Sequence, residues 1–341
     1  YDPNSHFPHC SRIAAKAWGV RRLNAPLKRF QPDVILMPDN NVPAYFVKKP
    51  HGAKLIWCCR HNYHRFRDNP LLPDYSWADL DVAASMERKA LRKADVAVSP
   101  SQYMVGEFRR AFGGNVLPVY VIHNFMTEEA FTGIEAFPLR DKMGLDENDP
   151  ILYIPSAGTA NKGKRYVYEI VRRLHTATKG RVGFFLSGTI PGDLEFELGH
   201  LGTTLKRHVP GHLTWAENVS RVMSCDVVAS PTLVENFSNA LIEAHWLGKP
   251  IVTFDTGGNH EIVQDGRTGH VVDYLDVENF IERTVELLRN TERRSEYGMA
   301  GYEWAHRELS AERIRQQYRE LFTALDVDCN QASVHTENSL D

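Results

Sequence analysis

No apolar run in this sequence approaches the ~18 to 20 residues that a bilayer-crossing helix requires. The opening Tyr1-Asp2-Pro3-Asn4-Ser5-His6 carries no basic-then-apolar leader either. A cytoplasmic protein is expected, and Tyr1 in place of Met is what a processed or shortened chain would show. Cysteine is scarce: Cys10, Cys58, Cys59, Cys225 and Cys329 are odd in number and irregularly spaced, which fits reduced thiols rather than a secreted disulfide framework. Excess positive charge is missing as well. Forty Lys and Arg against 43 Asp and Glu leave a formal net charge of -3, so the field that draws a nucleic-acid partner is absent. Repeats of ~20 to 50 residues are not found, which removes solenoids and propellers.

What is present is an ordinary globular balance, 43% hydrophobic and 24% charged, over 341 residues. That length is about twice a typical domain of ~150 residues, so two cored domains are expected. Short apolar, β-branched runs recur at Val34 to Met37, Leu55 to Cys58, Val96 to Val98, Val119 to Ile122, Ile151 to Ile154, Val182 to Leu186, Val227 to Ala229, Ile251 to Phe254 and His270 to Val272. They do not alternate, as expected for parallel strands covered on both faces. Between them, Asp79 to Lys93, Lys164 to Thr176 and Val277 to Leu288 place apolar residues at helical spacing. The fold class is therefore α/β with parallel sheets. Phe131 to Asp149, rich in turn formers and charge, reads as the interdomain linker.

In such folds ligands bind at the carboxyl ends of strands, where loops feed helix N-termini that attract phosphate. The richest loop is Ser230 to Pro250. Gly248 and Pro250 end its helix, and Asn236 or Ser238 can cap its start. Glu235 lies just before the helix and Glu243 about two turns inside it. The N–H groups of Phe237, Ser238 and Asn239 lie between. Two carboxylates that accept paired hydroxyl bonds, with a helix N-terminus between them, can hold a sugar, a diphosphate and a ribose in sequence. The bland alternative for each acid is a cap or a solvated surface glutamate.

Glu235 and Glu243 with seven residues between them, then Gly248-Lys249-Pro250-Ile251-Val252, Gly257-Gly258-Asn259-His260-Glu261-Ile262-Val263 and Asp265-Gly266-Arg267-Thr268-Gly269, resemble the donor-binding signature of the retaining GT-B glycosyltransferases of family GT4. Pro32 to Ile35, Ala94 to Ser101 and Val121 to Asn124 are similar to that family's acceptor-domain strand ends. The resemblance implies two Rossmann-like domains facing across a cleft: an acceptor-side domain over 1–137, a donor-binding domain over 145–308, a helix over 309–325 packing back on the first domain, and a loose tail over 326–341. It implies transfer of a sugar, with retention, from a nucleoside-diphosphate sugar to a hydroxyl of a sugar, glycan, lipid-linked or small-molecule acceptor, with no metal or other cofactor. It assigns Glu235 to the sugar hydroxyls, Glu243 to the ribose, and Lys162 to the diphosphate with the N–H groups of Phe237 to Asn239. Gly163, Gly188 and Arg165 line the donor loops. His61 is the acceptor-domain histidine, with His64 close enough to take the same part.

The sequence departs from the family pattern at two places. Ala157 stands where the family has an arginine, leaving Arg165 or another cation to replace it, and no first strand with a glycine-rich loop is evident before Pro32, so a shortened acceptor domain is expected. The same residues admit rival readings. Gly158 to Arg165 nearly meets the phosphate-loop pattern, but Arg165 occupies the Ser/Thr place that would bind magnesium. Cys58 to His64 and His6 to Cys10 match no common zinc spacing. The basic and apolar mixture over 12–30 suits either peripheral contact with anionic lipid or a helix packed on the sheet. A nucleotide-sugar epimerase or hydrolase, or a binding protein without turnover, are the functional alternatives on the same frame.

Overall fold

The computed structural model describes residues 8–40, 42–61, 77–114 and 116–327. The first half holds the parallel strands β1 (Val34–Pro38), β2 (Lys54–Cys58), β3 (Val96–Ser99) and β4 (Val119–Val121), in the order β1-β2-β3-β4. The second half holds β5 (Ile151–Ile154), β6 (Gly183–Leu186), β7 (Lys206–His208), β8 (Val227–Ser230), β9 (Ile251–Phe254) and β10 (Gly269–Val272). These are also parallel and lie in the order β10-β9-β8-β5-β6-β7. From β5 the chain works outward through β6 and β7, then returns to β8 on the other side of β5. The loops after β5 and β8 therefore diverge from neighbouring strand ends and leave a crevice between them.

The helices are α1 (Pro8–Phe30), α2 (Trp77–Leu91), α3 (Gln102–Phe112), α4 (Glu128–Phe131), α5 (Leu139–Met143), α6 (Lys164–Ala177), α7 (Gly192–Gly199), α8 (Trp215–Met223), α9 (Asn239–Trp246), α10 (Asn259–Ile262), α11 (Val277–Arg289), α12 (Thr291–Glu308) and α13 (Ala311–Ala324). Each long helix buries an apolar stripe: α6 turns Val167, Ile170, Val171 and Leu174 inward, and α11 turns Phe280, Ile281, Leu287 and Leu288. Along β5 the side chains alternate between two covered faces. Leu152 and Ile154 pack with Phe184, Val252 and Phe280, and Ile151 and Tyr153 pack with Phe185, Val228 and Ile242. The first sheet is covered the same way, with Leu55, Trp57 and Met104 on one face and Ile56, Val98 and Ile122 on the other. That second face is closed by Ile314 and Leu321 of α13. The chain thus crosses between the halves twice, and the crossings touch: Met126 N donates to Leu309 O at 3.3 Å, and Met126 pairs with Ser310 in a parallel bridge.

Several expectations change here. β7 was missed because Lys206-Arg207-His208 is a polar edge strand with no apolar run to announce it. The expected linker is not all loop, since α5 buries Leu139 and Met143 beside Ile151 and Tyr153. Ser238 occupies the N-cap of α9 without a side-chain cap bond, and the Asn236 amide turns instead to the carbonyl of Arg60. On α1, Ile13 and Val20 are buried in the first core while Leu23 and Phe30 are exposed, the pattern of a helix packed on a sheet. Cys58 and Cys59 fall in the clusters on opposite faces of the first sheet, as neighbours along a strand must.

His245 on α9 is fully buried, edge-on to Trp304 of α12, and a Cβ at Gly301 would come within 2.4 Å of its Nδ1. It is a packing residue. Burial holds its imidazole neutral and brings its pKa down to about 4. The unfolded chain therefore takes up a proton near pH 6.5 that the folded chain refuses until about pH 4. Stability to denaturant should be flat with respect to this group above pH 6.5 and fall between pH 6.5 and 4. Urea melts over that range should show the slope, and His245→Gln should remove its share whatever its effect at neutral pH.

Candidate active site

The crevice between β5 and β8 brings the loops that follow these two strands into contact through main chain. Leu233 N and Val234 N donate to Asn161 O at 2.9 and 3.2 Å. Gly163 sits at φ 88° with its α-carbon against Pro231, where a Cβ would lie 1.9 Å from the Pro231 carbonyl oxygen. No other residue fits that approach. The result places Lys162, at the end of the turn after β5, against Glu235 of the loop after β8, with Nζ and Oε2 2.5 Å apart. The other carboxylate oxygen of Glu235 accepts from Asn236 N at 3.0 Å.

A third loop supports the second from behind. Gly257, at φ 62°, would put a Cβ 2.1 Å from the Glu235 carbonyl oxygen, and Gly258 would put one 2.5 Å from that of Asn236. Gly258 N donates to Asn236 O at 3.0 Å. The paired glycines let backbone lie on backbone, which fixes the height of Glu235 in the crevice.

Beyond Glu235 the chain enters α9. Phe237 is buried and stacked on His123, with ring centroids 4.7 Å apart and 10° between planes. Ser238 is buried, and Asn239 takes an Asn124 Nδ2 bond on its Oδ1 at 2.8 Å. With no side-chain cap on this helix start, its leading N–H groups can serve an incoming anion. Glu243 lies on the second turn, half-buried. Its Oε1 accepts the indole N–H of Trp215 at 3.0 Å. Burial raises its pKa, and the Trp215 bond opposes that rise.

Loops at the strand ends of the first sheet close the other side. Asp39, just past β1 and buried, accepts Arg60 N on Oδ1 at 2.8 Å and His61 N on Oδ2 at 2.9 Å, which sets the loop after β2. Arg60 bonds Asn124 through its guanidinium and receives Asn236 on its carbonyl, so His61 stands one residue from a direct link to the Glu235 loop. Ser101 donates to Asn236 O at 3.1 Å. Glu261 of α10 reaches across to the start of α3: its two carboxylate oxygens accept Gln102 N and Tyr103 N, each at 2.8 Å. A helix of one half is thus capped by an acid of the other.

The structure brings Lys162, Gly163 and Glu235 together at this crevice; Phe237 and Asn239, next along the chain, meet His123 and Asn124, and Glu243 on α9 meets Trp215. Gly188 is found past β6, at φ 85° and against Ser156. Arg165 is exposed at the start of α6, with its guanidinium over the Tyr166 ring. Ala157 is fully buried in the core of the second half, an inward-facing methyl at the place where the family has an arginine. His64 lies outside the described residues. No cluster of three or more potential metal ligands occurs among the described residues. Sequence alone gives no role to Asp39, Arg60, Asn124, Trp215 or Glu261, although Arg60, Asn124 and Glu261 each stand inside a segment singled out above.

Two family models match adjoining parts of the chain: Glycosyltransferase Family 4 over residues 3–129 and Glycosyl transferases group 1 over residues 136–304. The chain belongs to the group 1 glycosyltransferase family and has its GT-B fold. Among relatives, it is 27% identical over 270 residues to a GDP-mannose-dependent alpha-(1-6)-phosphatidylinositol monomannoside mannosyltransferase of Mycolicibacterium smegmatis, covering 74% of this chain and 66% of that protein. The curated relatives it resembles are therefore matched over about two thirds of their length. Among solved structures, sucrose-phosphate synthase from Thermosynechococcus elongatus superposes with a TM-score of 0.75 at 16% identity, over 95% of this chain and 82% of that one. Anabaena HepE in complex with UDP and glucose superposes with a TM-score of 0.72 at 18% identity, over 91% and 81%.

Replacing Glu261 by Ala should cost about 1–2 kcal/mol of stability, the usual scale for a lost cap. It should also loosen the halves. Solution scattering should show a larger radius of gyration for Glu261→Ala than for the unaltered protein; equal radii would mean the cap does not hold the seam.

Proposed function

We propose that this chain is a retaining glycosyltransferase that moves a sugar from a nucleoside diphosphate to an acceptor hydroxyl. The observation that carries the reading is the Lys162–Glu235 pair at the strand-order reversal, beside a helix start with no side-chain cap. A diphosphate seated there meets one cation and a set of aligned N–H dipoles, while the carboxylate released from Lys162 turns to the sugar hydroxyls. Glu243, two turns in, takes the ribose. A relative named as GDP-mannose-dependent and a fold neighbour solved with UDP and glucose carry ligands of this class.

Chemistry then needs little covalent help from the protein. As the anomeric C–O bond breaks, positive charge grows on the sugar and negative charge on the leaving phosphate oxygen. Lys162 and the N–H groups of Phe237 to Asn239 face that oxygen and stabilise it without reorganising. The same oxygen accepts the proton of the acceptor hydroxyl on the face it leaves, the new C–O bond forms on that face, and a nucleoside diphosphate departs. His61, held through its main chain by Asp39, stands on the acceptor side to orient the sugar. This division of labour meets the phosphate charge with protein groups and calls for no metal.

Lys162→Ala should lower kcat by ~10² to 10³ while changing donor affinity much less. Glu243→Ala should do the reverse, weakening nucleotide binding by roughly tenfold or more. Titration calorimetry with UDP, GDP, ADP and TDP, followed by turnover with the base that binds, separates the two. Wild-type turnover in Lys162→Ala, or sugar release at full rate with no acceptor present, would contradict the transfer reading. Activity should persist in excess EDTA, and its loss would show that a divalent cation carries the phosphate charge.

A further inference from the structure

We propose that Trp215 is a positioning residue of the donor site, its indole N–H fixing one oxygen of the Glu243 carboxylate so that the other faces the paired hydroxyls of a nucleotide's ribose. The proposal rests on the ribose role given to Glu243 above. Its direct observation is the 3.0 Å bond from Trp215 Nε1 to Glu243 Oε1.

Three features make this more than packing. Trp215 is the first residue of α8, and the start of that helix is locked by a reciprocal box: Thr214 N and Oγ1 both donate to Glu217 Oε2 at 2.8 Å, and Thr214 Oγ1 accepts from Glu217 N. The ring is also held from its side. It stands edge-on to Phe131 at 5.3 Å, and Phe131 is stacked on Trp246, three residues beyond Glu243 on α9. The donor and the acid it serves are therefore clamped by one aromatic stack. Yet Trp215 keeps 39% of its surface exposed, an unusual share for a large ring whose job is to fill a core.

The bond has an electrostatic consequence. Glu243 is pulled toward the protonated state by burial, and the indole N–H favours the ionised one. The titratable group facing it from a neighbouring element is Tyr153 of β5, whose buried phenol is pushed up to about 12 and stays neutral. Without the indole donor the carboxylate would take its proton at higher pH. A protonated acid accepts fewer hydroxyl bonds, so ribose binding would weaken first on the acid side.

The test uses the whole chain and three variants: Trp215→Phe, which keeps the ring and its Phe131 contact; Trp215→Gln, which keeps an N–H donor; and Glu243→Gln. Binding of UDP, GDP, ADP and TDP is measured by calorimetry from pH 4.5 to 8, with inorganic pyrophosphate as the probe that has no ribose. Trp215→Phe should bind the preferred nucleoside diphosphate about tenfold more weakly at pH 7. Its acid-side midpoint should lie at higher pH, with pyrophosphate binding unchanged. Trp215→Gln should recover part of the loss. If Glu243→Gln weakens nucleotide binding and Trp215→Phe does not, with the same midpoint as wild type, Trp215 has no positioning role. If Trp215→Phe loses pyrophosphate binding along with nucleotide, its role is general packing and the proposal fails. If Glu243→Gln binds nucleotide like wild type, the ribose assignment itself is wrong and the inference falls with it.

Discussion

The carboxylate of Glu261 closes the first turn of a helix that belongs to the opposite sheet, and the cleft depends on contacts of that kind. Each half has its own covered sheet, the second face of the first being closed by α13 once the chain has returned from the second half. What joins them at the ligand-facing edge is mostly main chain: the carbonyls of Arg60 and Asn236, the amides of Gln102 and Tyr103, and a few short polar side chains. All of these come from the loops, or the first helical turn, that follow strand carboxyl ends. The seam is thus made by the same segments that present the candidate catalytic groups, and a change in its closure moves Glu235 and His61 relative to each other.

Within the donor half, precision comes from glycine rather than from bulk. Gly163, Gly257 and Gly258 each bring one loop's backbone onto another's, at separations that a β-carbon would forbid. Side-chain chemistry is then laid over a rigid base. Lys162 and Glu235 satisfy each other across the crevice, which keeps two charged groups poised in a partly enclosed place where an unpaired charge would be costly. On the function proposed above, a ligand would exchange partners with this pair instead of exposing either group.

Much of this was legible in the residues. The non-alternating apolar runs marked nearly all the strands, since strands covered on both faces carry no polar positions to break the run. The two glutamates stood out because one precedes and the other lies within a helix whose end is marked by Gly248 and Pro250. What escaped depends on strand order, which no local pattern encodes. Lys162 and Glu235 lie 73 residues apart in sequence and meet only because β8 returns to the flank of β5. Trp215 reads in sequence like any aromatic at a helix start, and its partner is supplied by a different helix. β7 was invisible because an edge strand can be polar throughout. Ala157, which stands where the family has an arginine, faces inward against a filled core, and sequence alone does not show which way such a side chain turns.

The paired crossings of the chain have a mechanical meaning. A single tether would let one half swivel freely on the other. Here Met126 is bonded to Leu309 and bridged to Ser310, so both covalent connections run side by side at one edge. Two adjacent connections act as a paired tether: any rotation of one half against the other has to bend both at once, so twisting and sliding are opposed by the backbone itself.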